Sequence, residues 1–341
     1  MKTPISWKSK SLTSLGIALS ALWLVACGSE EKSAEESVVS RHKIGISIAR
    51  NDDNSPFLQQ VYQTFQQRSS LFPNLEIMIG SAGNDQAKQY EQLDQFLAQG
   101  AQLLIINLAD LNKGTELTQR YCAKVPLVFY NFHPGINALS SCSKAYFVDA
   151  EVVSAAVTQG VEMLKSWKDN PEWDKNGDGV IQLALLGAIQ FDPNASARSD
   201  WVVTTVKNYP EIKADAEVVF REDAFFQTHL AHDVVEKWVQ DAKFDQVEVI
   251  ASASDSMAFG ALEVLTKHQK KVPIFSMDGL KPAQEAIQRG EIVYSARADF
   301  NNEIDTALQL ATNLVTGQPA HQGLKYLLNN QEVRIPYIFS K

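Results

Sequence analysis

Short apolar, β-branched runs alternate with longer amphipathic stretches along most of the chain, and this alternation leaves few folds open. Ile44-Gly45-Ile46-Ser47-Ile48 has the character of a buried strand. Pro56–Leu71 follows with Phe57, Val61 and Phe65 at helical spacing, then a strand at Leu75–Ile79, a helix at Asp85–Gln99 and a strand at Leu103–Asn107. Further apolar runs stand at Val125–Tyr130 and Tyr146–Asp149. Around Asp149 the pattern restarts. Helices are expected at Ala150–Trp167, Asp200–Asn208, Gln227–Gln240, Met257–His268 and Pro282–Arg289. Strands are expected between them at Val180–Leu186, Ala216–Phe220, Val247–Ala251, Val272–Met277 and Val293–Ala298. Asn301–Thr316 adds a helix and Val333–Ile338 a last strand. Strands separated by helix-length stretches form βαβ units, whose parallel sheets are covered on both faces. With 341 residues the chain exceeds what one core fills. The reading is α/β, with two doubly wound, Rossmann-like domains. In open parallel sheets ligands bind beyond the carboxyl ends of the strands, so the expected site is a cleft where two such ends face each other.

Composition removes several functions. The formal charge is −9 and the pI about 5.2, with no Lys/Arg cluster of the size a nucleic-acid binder needs to displace counterions. Mean hydropathy of −0.17 excludes a multi-spanning transporter. Three cysteines are too few for a disulfide framework or a four-thiolate zinc site.

The first residues have the character of an address. Lys2, Lys8 and Lys10 precede the uncharged apolar stretch Leu12–Ala26, too short to span a membrane but suited to a signal peptide. It ends in Leu24-Val25-Ala26-Cys27, which resembles a bacterial lipobox, with Cys27 as the lipidated first mature residue. Residues 28–42 are small, polar and acidic, so 27–42 reads as an anchor and tether. An exported, lipid-anchored protein in the cell envelope is the expectation, on the periplasmic or the outer face. In that oxidising setting Cys122 and Cys142 are free to pair. Each lies three residues before an apolar run; if those runs are neighbouring parallel strands, both thiols sit at one sheet end within disulfide reach. Two separately buried thiols are the alternative.

From Lys43 onward the chain resembles the bacterial periplasmic galactose/glucose-binding proteins, the type I substrate-binding proteins of ABC sugar import systems. The resemblance rests on KIGISIARNDDN at 43–54, NDQAKQYEQLDQFLAQG at 84–100, LLIINLAD at 103–110 and VPLVFYN at 125–131. It continues through WDKNGDGVIQLALL at 173–186, SDSMAFGALEVL at 254–265, VPIFSMDGL at 272–280 and EVRIPYI at 332–338. It implies two lobes joined by a three-segment hinge and closing on a monosaccharide. The division is then 43–150 plus 299–327 for the N-terminal lobe, and 151–298 plus 328–341 for the C-terminal one.

Asp174-Lys175-Asn176-Gly177-Asp178-Gly179-Val180-Ile181-Gln182 places side-chain oxygens at positions 1, 3, 5 and 9, glycine at 6 and a backbone carbonyl at 7. This is calcium-loop spacing, although an Asn/Asp/Gly turn would read the same way. An EF-hand would have glutamate at position 12, where Leu185 stands. The resemblance supplies the missing carboxylate as Glu248. The implied ligands of a structural Ca2+ are Asp174, Asn176, Asp178, the Val180 carbonyl, Gln182 and Glu248.

For the sugar, the resemblance implies Asp53 as a hydroxyl acceptor, Phe57 as a stacking ring, and Asn107, Arg198 and Asp278 at the hydroxyl rim. Five positions depart from the family. Asp192 replaces its histidine, Asn194 an aspartate, Phe226 (or Phe225) a tryptophan, Ser254 an asparagine and Ala298 another asparagine. Three aspartates beside one arginine are still expected, so specificity is expected to differ while glucose and galactose lead. Each residue has a plain structural reading too: Asp53 and Asn54 as helix caps, the phenylalanines as core. The six histidines form no HExxH, and there is no GxSxG or Gly-rich phosphate loop, so no enzyme is expected. A signal and tether stand where related sugar-responsive repressors carry a helix-turn-helix. The resulting reading is a monomeric, lipid-anchored sugar-binding protein that serves an ABC permease. The rival reading is a sensor that reports a ligand to a chemoreceptor or sensor kinase.

Overall fold

The computed structural model describes residues 41–338 apart from Lys213, so Cys27 and residues 28–40 of the tether lie outside the described residues. Twelve strands run in chain order: β1 (His42–Ile48), β2 (Leu75–Ser81), β3 (Leu103–Ile106), β4 (Leu127–Tyr130), β5 (Ala145–Ala150), β6 (Val180–Gly187), β7 (Asp215–Asp223), β8 (Val249–Ser252), β9 (Ile274–Asp278), β10 (Tyr294–Arg297), β11 (Leu328–Asn329) and β12 (Glu332–Ile335). The helices are α1 (Pro56–Arg68), α2 (Gln86–Ala98), α3 (Gly114–Tyr121), α4 (Ile136–Ser140), α5 (Val152–Asp169), α6 (Pro193–Asn208), α7 (Thr228–Val239), α8 (Asp255–Lys267), α9 (Lys281–Gln288) and α10 (Phe300–Val315).

Two sheets result, in the orders β11-β12-β5-β4-β3-β1-β2 and β10-β9-β8-β6-β7. Every pairing is parallel except β11 with β12. Buried β-branched residues explain the central strands. Ile44, Ile46 and Ile48 face Val61 and Phe65 of α1 and Ile304 and Leu308 of α10. Leu104, Ile106, Phe129 and Phe147 fill the opposite face with Leu117 and Tyr121. Helix starts follow local chemistry: Asp85 accepts from the N–H groups of Ala87 and Lys88, and Ser55 precedes Pro56 at the first turn of α1. The sulfur atoms of Cys122, which ends α3, and Cys142, just before β5, are bonded, with Cα atoms 6.2 Å apart.

The division into lobes differs from the expectation at the last segment. Residues 328–335 do not belong to the C-terminal lobe, because β12 pairs in register with β5, Val333 opposite Val148 and Ile335 opposite Ala150. Only after Pro336 does the chain cross back: Tyr337 enters the second lobe's core, and the Ile338 N–H donates to the Arg297 carbonyl at 2.7 Å. Isolated apolar periodicity cannot show which of two similar sheets a strand joins. The helix expected at Asp200–Asn208 begins instead at Pro193, and α3 and α4 were not expected, both being short.

Each of the three crossings carries a buried ionisable group. Asp149 ends β5, Glu303 lies in the first turn of α10 and Tyr337 follows β12. Asp149 Oδ2 accepts from Arg334 Nη1 at 3.1 Å, and Glu303 Oε2 accepts from the Tyr130 hydroxyl at 2.9 Å. Asp149 Oδ1, Glu303 Oε1 and the Tyr337 hydroxyl are buried without partners. Burial pushes the Asp149 carboxyl up to about 7, against the pull of Arg334 and Arg198. Burial and the Asp149 charge push Glu303 up to about 8. A carboxyl raised in this way still binds its proton in the folded state at pH values where the unfolded chain, with pKa about 4, has released it. Its contribution to stability is therefore complete below about pH 4 and is lost as pH rises through 7 to 8. In urea unfolding at stepped pH, stability is expected to fall between about pH 5 and 8, and Glu303→Gln is expected to flatten the fall. Equal slopes in both proteins would mean that Glu303 does not carry the proton.

Candidate functional site

The carboxyl ends of both sheets face one cavity. From the first lobe come Ala49, Arg50, Ser55, Phe57 and Leu58 around the end of β1 and start of α1, with Asn84, Asn131 and Phe132. From the second come Arg198 of α6, Phe225, Phe226 and Gln227 after β7, Ser254 and Ser256 at the start of α8, and Asp278 ending β9. Aromatic rings meet around it. Phe132 and Phe226, from opposite lobes, have centroids 6.2 Å apart, and Phe57 lies 5.2 Å from Phe300.

Arg198 is the electrostatic centre. Its Nη1 donates to Asp278 Oδ1 at 2.8 Å and to the Ala253 carbonyl at 3.0 Å, and its guanidinium lies 5.4 Å from the Phe226 ring centroid. Both side chains are almost wholly buried, at 6% and 2% exposure. Burial pushes the Asp278 carboxyl up, and Arg198 opposes this. Asp278 has φ 107°, a conformation that costs an L-residue about 1–3 kcal/mol. A polar bracket behind it holds the turn. Asp255 accepts from the hydroxyls of Ser276 at 2.5 Å and Ser295 at 2.6 Å and from the Leu280 N–H at 2.8 Å. Ser295 Oγ in turn accepts from the Gly279 N–H at 3.0 Å. Gly279 has φ 68°, and a Cβ there would lie 2.6 Å from the Arg297 Cα. Burial, reinforced by the Asp278 charge, pushes the Asp255 carboxyl up to about 8.

Of the residues expected at the sugar site, Phe57, Arg198, Phe226, Ser254 and Asp278 come together here, and Phe225 lines the cavity beside Phe226. Five others lie elsewhere. Asp53 is exposed in the turn before α1, where it accepts from Gln59 Nε2 at 3.0 Å. Asn107 is fully buried, and its amide ties three strand ends: Oδ1 accepts from the Ala49 N–H at 3.1 Å, and Nδ2 donates to the Tyr130 carbonyl at 3.1 Å. Asp192 caps α6 by accepting from the Ala195 N–H at 2.8 Å. It lines, with Asn194, a separate groove that includes His133, Glu332 and Arg334. Ala298 is buried in the second lobe's core. The sequence reading missed Arg50, Ser55, Asn84, Asn131, Phe132, Gln227 and Ser256. Arg50 and Asn131 stand just past strand ends, so the carboxyl-end rule would have found them.

The loop at 174–182 is ordered by its own carboxylates. Asp174 accepts from the N–H groups of Gly177, Asp178 and Gly179, and Asp178 accepts from that of Val180. Glu248, 1% exposed, accepts from the N–H groups of Lys175 at 2.7 Å and Gln182 at 3.1 Å. Among the described residues no three His, Cys, Asp or Glu side chains are grouped closely enough to hold a metal by themselves. The donor set nevertheless fits a hard cation, which takes amide and carbonyl oxygens as well as carboxylates. Gln182 Oε1 is buried and without a partner, and burial pushes the Glu248 carboxyl up, with the Asp174 and Asp178 charges adding to the rise.

Two lobes around one polar, ring-walled cavity, with a chain that crosses between them three times, define a two-lobed ligand-binding protein. The chain belongs to the periplasmic binding protein domain family, whose model matches residues 44–319. It is 33% identical over 307 residues to the D-galactose/methyl-galactoside binding periplasmic protein MglB of Haemophilus influenzae, covering 90% of this chain and 91% of that one. It is 22% identical to a xylitol-binding protein of Mycolicibacterium smegmatis over 94% of this chain and 86% of that one. Among solved structures, a periplasmic solute-binding protein of Actinobacillus succinogenes with bound D-allose shares the fold, with TM-score 0.71, 14% identity and coverage of 87% and 96%. A Bacillus halodurans solute-binding protein with bound myo-inositol does so at TM-score 0.69, 20% identity and coverage of 88% and 94%.

Removing Arg198 alone strands the Asp278 charge in the core. Arg198→Ala is expected to cost about 3–5 kcal/mol in urea unfolding at pH 7, and Arg198→Met with Asp278→Leu to regain most of it. A single variant as stable as the parent would show that the pair is not buried as described.

Proposed function

We propose that this protein captures a monosaccharide in the interlobe cavity outside the cytoplasm and delivers it to an ABC importer. The carrying observation is a cavity in which rings and planar polar groups from both lobes surround one space. A pyranose presents apolar C–H faces and a rim of hydroxyls; Phe57, Phe132 and Phe226 suit the faces, and Arg198, Asp278, Asn131 and Ser254 suit the rim. The relation to the galactoside-binding protein of Haemophilus influenzae supports hexoses of the galactose and glucose type. A ligand that touches both lobes favours their closed arrangement, and a membrane permease reads that arrangement. No step of this process needs a catalytic group. Titration calorimetry of the ligand-stripped protein with D-galactose and D-glucose tests the reading. Micromolar or tighter binding is expected, and absence of heat with every monosaccharide tried would sink it.

Two further proposals concern tethering and the loop. Cys27 carries the lipid, so palmitate labelling is expected to disappear in Cys27→Ala; label retained in that variant would place the lipid elsewhere. Asp174, Asn176, Asp178, the Val180 carbonyl, Gln182 and Glu248 would hold a structural Ca2+, which links the start of β6 to the segment before β8. A chelator is expected to lower the melting temperature by several degrees and added Ca2+ to restore it. An unchanged melting temperature would remove the metal from the account.

A further inference from the structure

The charge in the cavity wall is the reverse of what the sequence leads one to expect. Three aspartates beside one arginine are anticipated, yet Asp53 is at the surface and Asp192 caps α6. Asp278 is the one carboxylate among the lining residues, against two guanidinium groups, Arg198 and Arg50.

Neither arginine is fully matched. Arg198 Nη1 makes both of that side chain's bonds, and its Nε and Nη2 have no protein partner among the described residues. Arg50 stands two residues past the end of β1 and has its side chain 15% exposed. Its Nε and Nη2 both approach a single oxygen of Asp52, at 3.1 Å each, and Nη1 has no partner among the described residues. Asp52 is 42% exposed and not a lining residue, so water weakens its hold on that charge. Asp278, the only carboxylate acceptor in the wall, already faces Arg198 and the Asp255 N–H. Asn131 Oδ1 is turned to Asn107 Nδ2 at 3.5 Å, which leaves its own N–H groups unused.

The wall therefore sets two guanidinium groups against one carboxylate, a net positive charge inside a protein of formal charge −9. A neutral sugar brings no charge to offset that of the wall, and its hydroxyls leave the free guanidinium N–H groups only weak acceptors. A carboxylate only accepts, and its planar pair of oxygens matches a guanidinium. We infer that the cavity takes a monosaccharide bearing a carboxylate, of the hexuronate class, with Arg50 as the residue that reads the acid and Arg198 with Asp278 holding ring hydroxyls. This inference rests on the monosaccharide reading.

Calorimetry of the ligand-stripped protein against two matched pairs tests it: D-galacturonate with D-galactose, and D-glucuronate with D-glucose. In at least one pair the uronate is expected to bind more than about tenfold tighter than its parent hexose. Arg50→Gln is expected to bring uronate affinity down to near that of the hexose, and Arg50→Lys to retain part of the preference; melting curves report whether each variant is folded. A hexose that binds as tightly as its uronate, or tighter, overturns this inference and leaves the monosaccharide reading standing. A uronate preference that survives in folded Arg50→Gln overturns the role of Arg50. No binding by either member of either pair removes the hexuronate together with the hexose reading it rests on.

Discussion

The ion pair between Arg198 and Asp278 is the interaction on which the rest of the site depends. An arginine and an aspartate removed from water are stable only when each satisfies the other and the remaining polar groups find partners. That requirement reaches outward through the second lobe. Arg198 must come from a helix that begins at Pro193, so that the guanidinium reaches the Ala253 carbonyl as well as Asp278. Asp278 must stand at the end of β9, directly opposite Arg297 of β10, with Asp255 and two serines behind it. The cavity wall is thus the visible side of a polar network that continues into the lobe.

Backbone strain is concentrated at the same place. Of the eight non-glycine residues with positive φ among the described residues, five line the cavity: Asn84, Asn131, Phe225, Phe226 and Asp278. Asparagine tolerates this region through local hydrogen bonding, whereas phenylalanine does not favour it. Two successive phenylalanines held this way face the cavity because the loop after β7 is pinned, with the N–H groups of Ala224 and Phe225 donating to the Gly187 and Ala188 carbonyls. Backbone pinned by its own hydrogen bonds in this way has little freedom left to lose on binding.

The fold was largely legible in the sequence because buried parallel strands leave a strong signal. Ile44–Ile48 and Leu103–Ile106 are buried on both faces, as strands of a helix-covered sheet are. The last strand was assigned to the wrong lobe because Val333 and Ile335 would be buried equally well in either sheet. Within the site, Asp53, Asn107 and Asp278 all stand in long matching stretches and Arg198 and Asp192 in none, yet of these five only Arg198 and Asp278 line the cavity. Type does not disclose whether a carboxylate faces a cavity or caps a helix. Arg50 escaped notice because its significance comes from the departure of two aspartates, which a linear reading keeps.

The course of the terminal segment has a consequence for the order in which this molecule is assembled. A chain made from its amino end completes β1 to β5 early, yet one face of that sheet stays open until α10 arrives with Ile304 and Leu308. The sheet's β5 edge lacks a partner until β12 emerges, and Tyr337 of the second lobe comes later still. The first lobe cannot close before nearly all of the polypeptide has been synthesised. Early compaction of that lobe into a finished domain is thereby delayed, whereas the second lobe has its five strands in one unbroken stretch of chain and can form its sheet first.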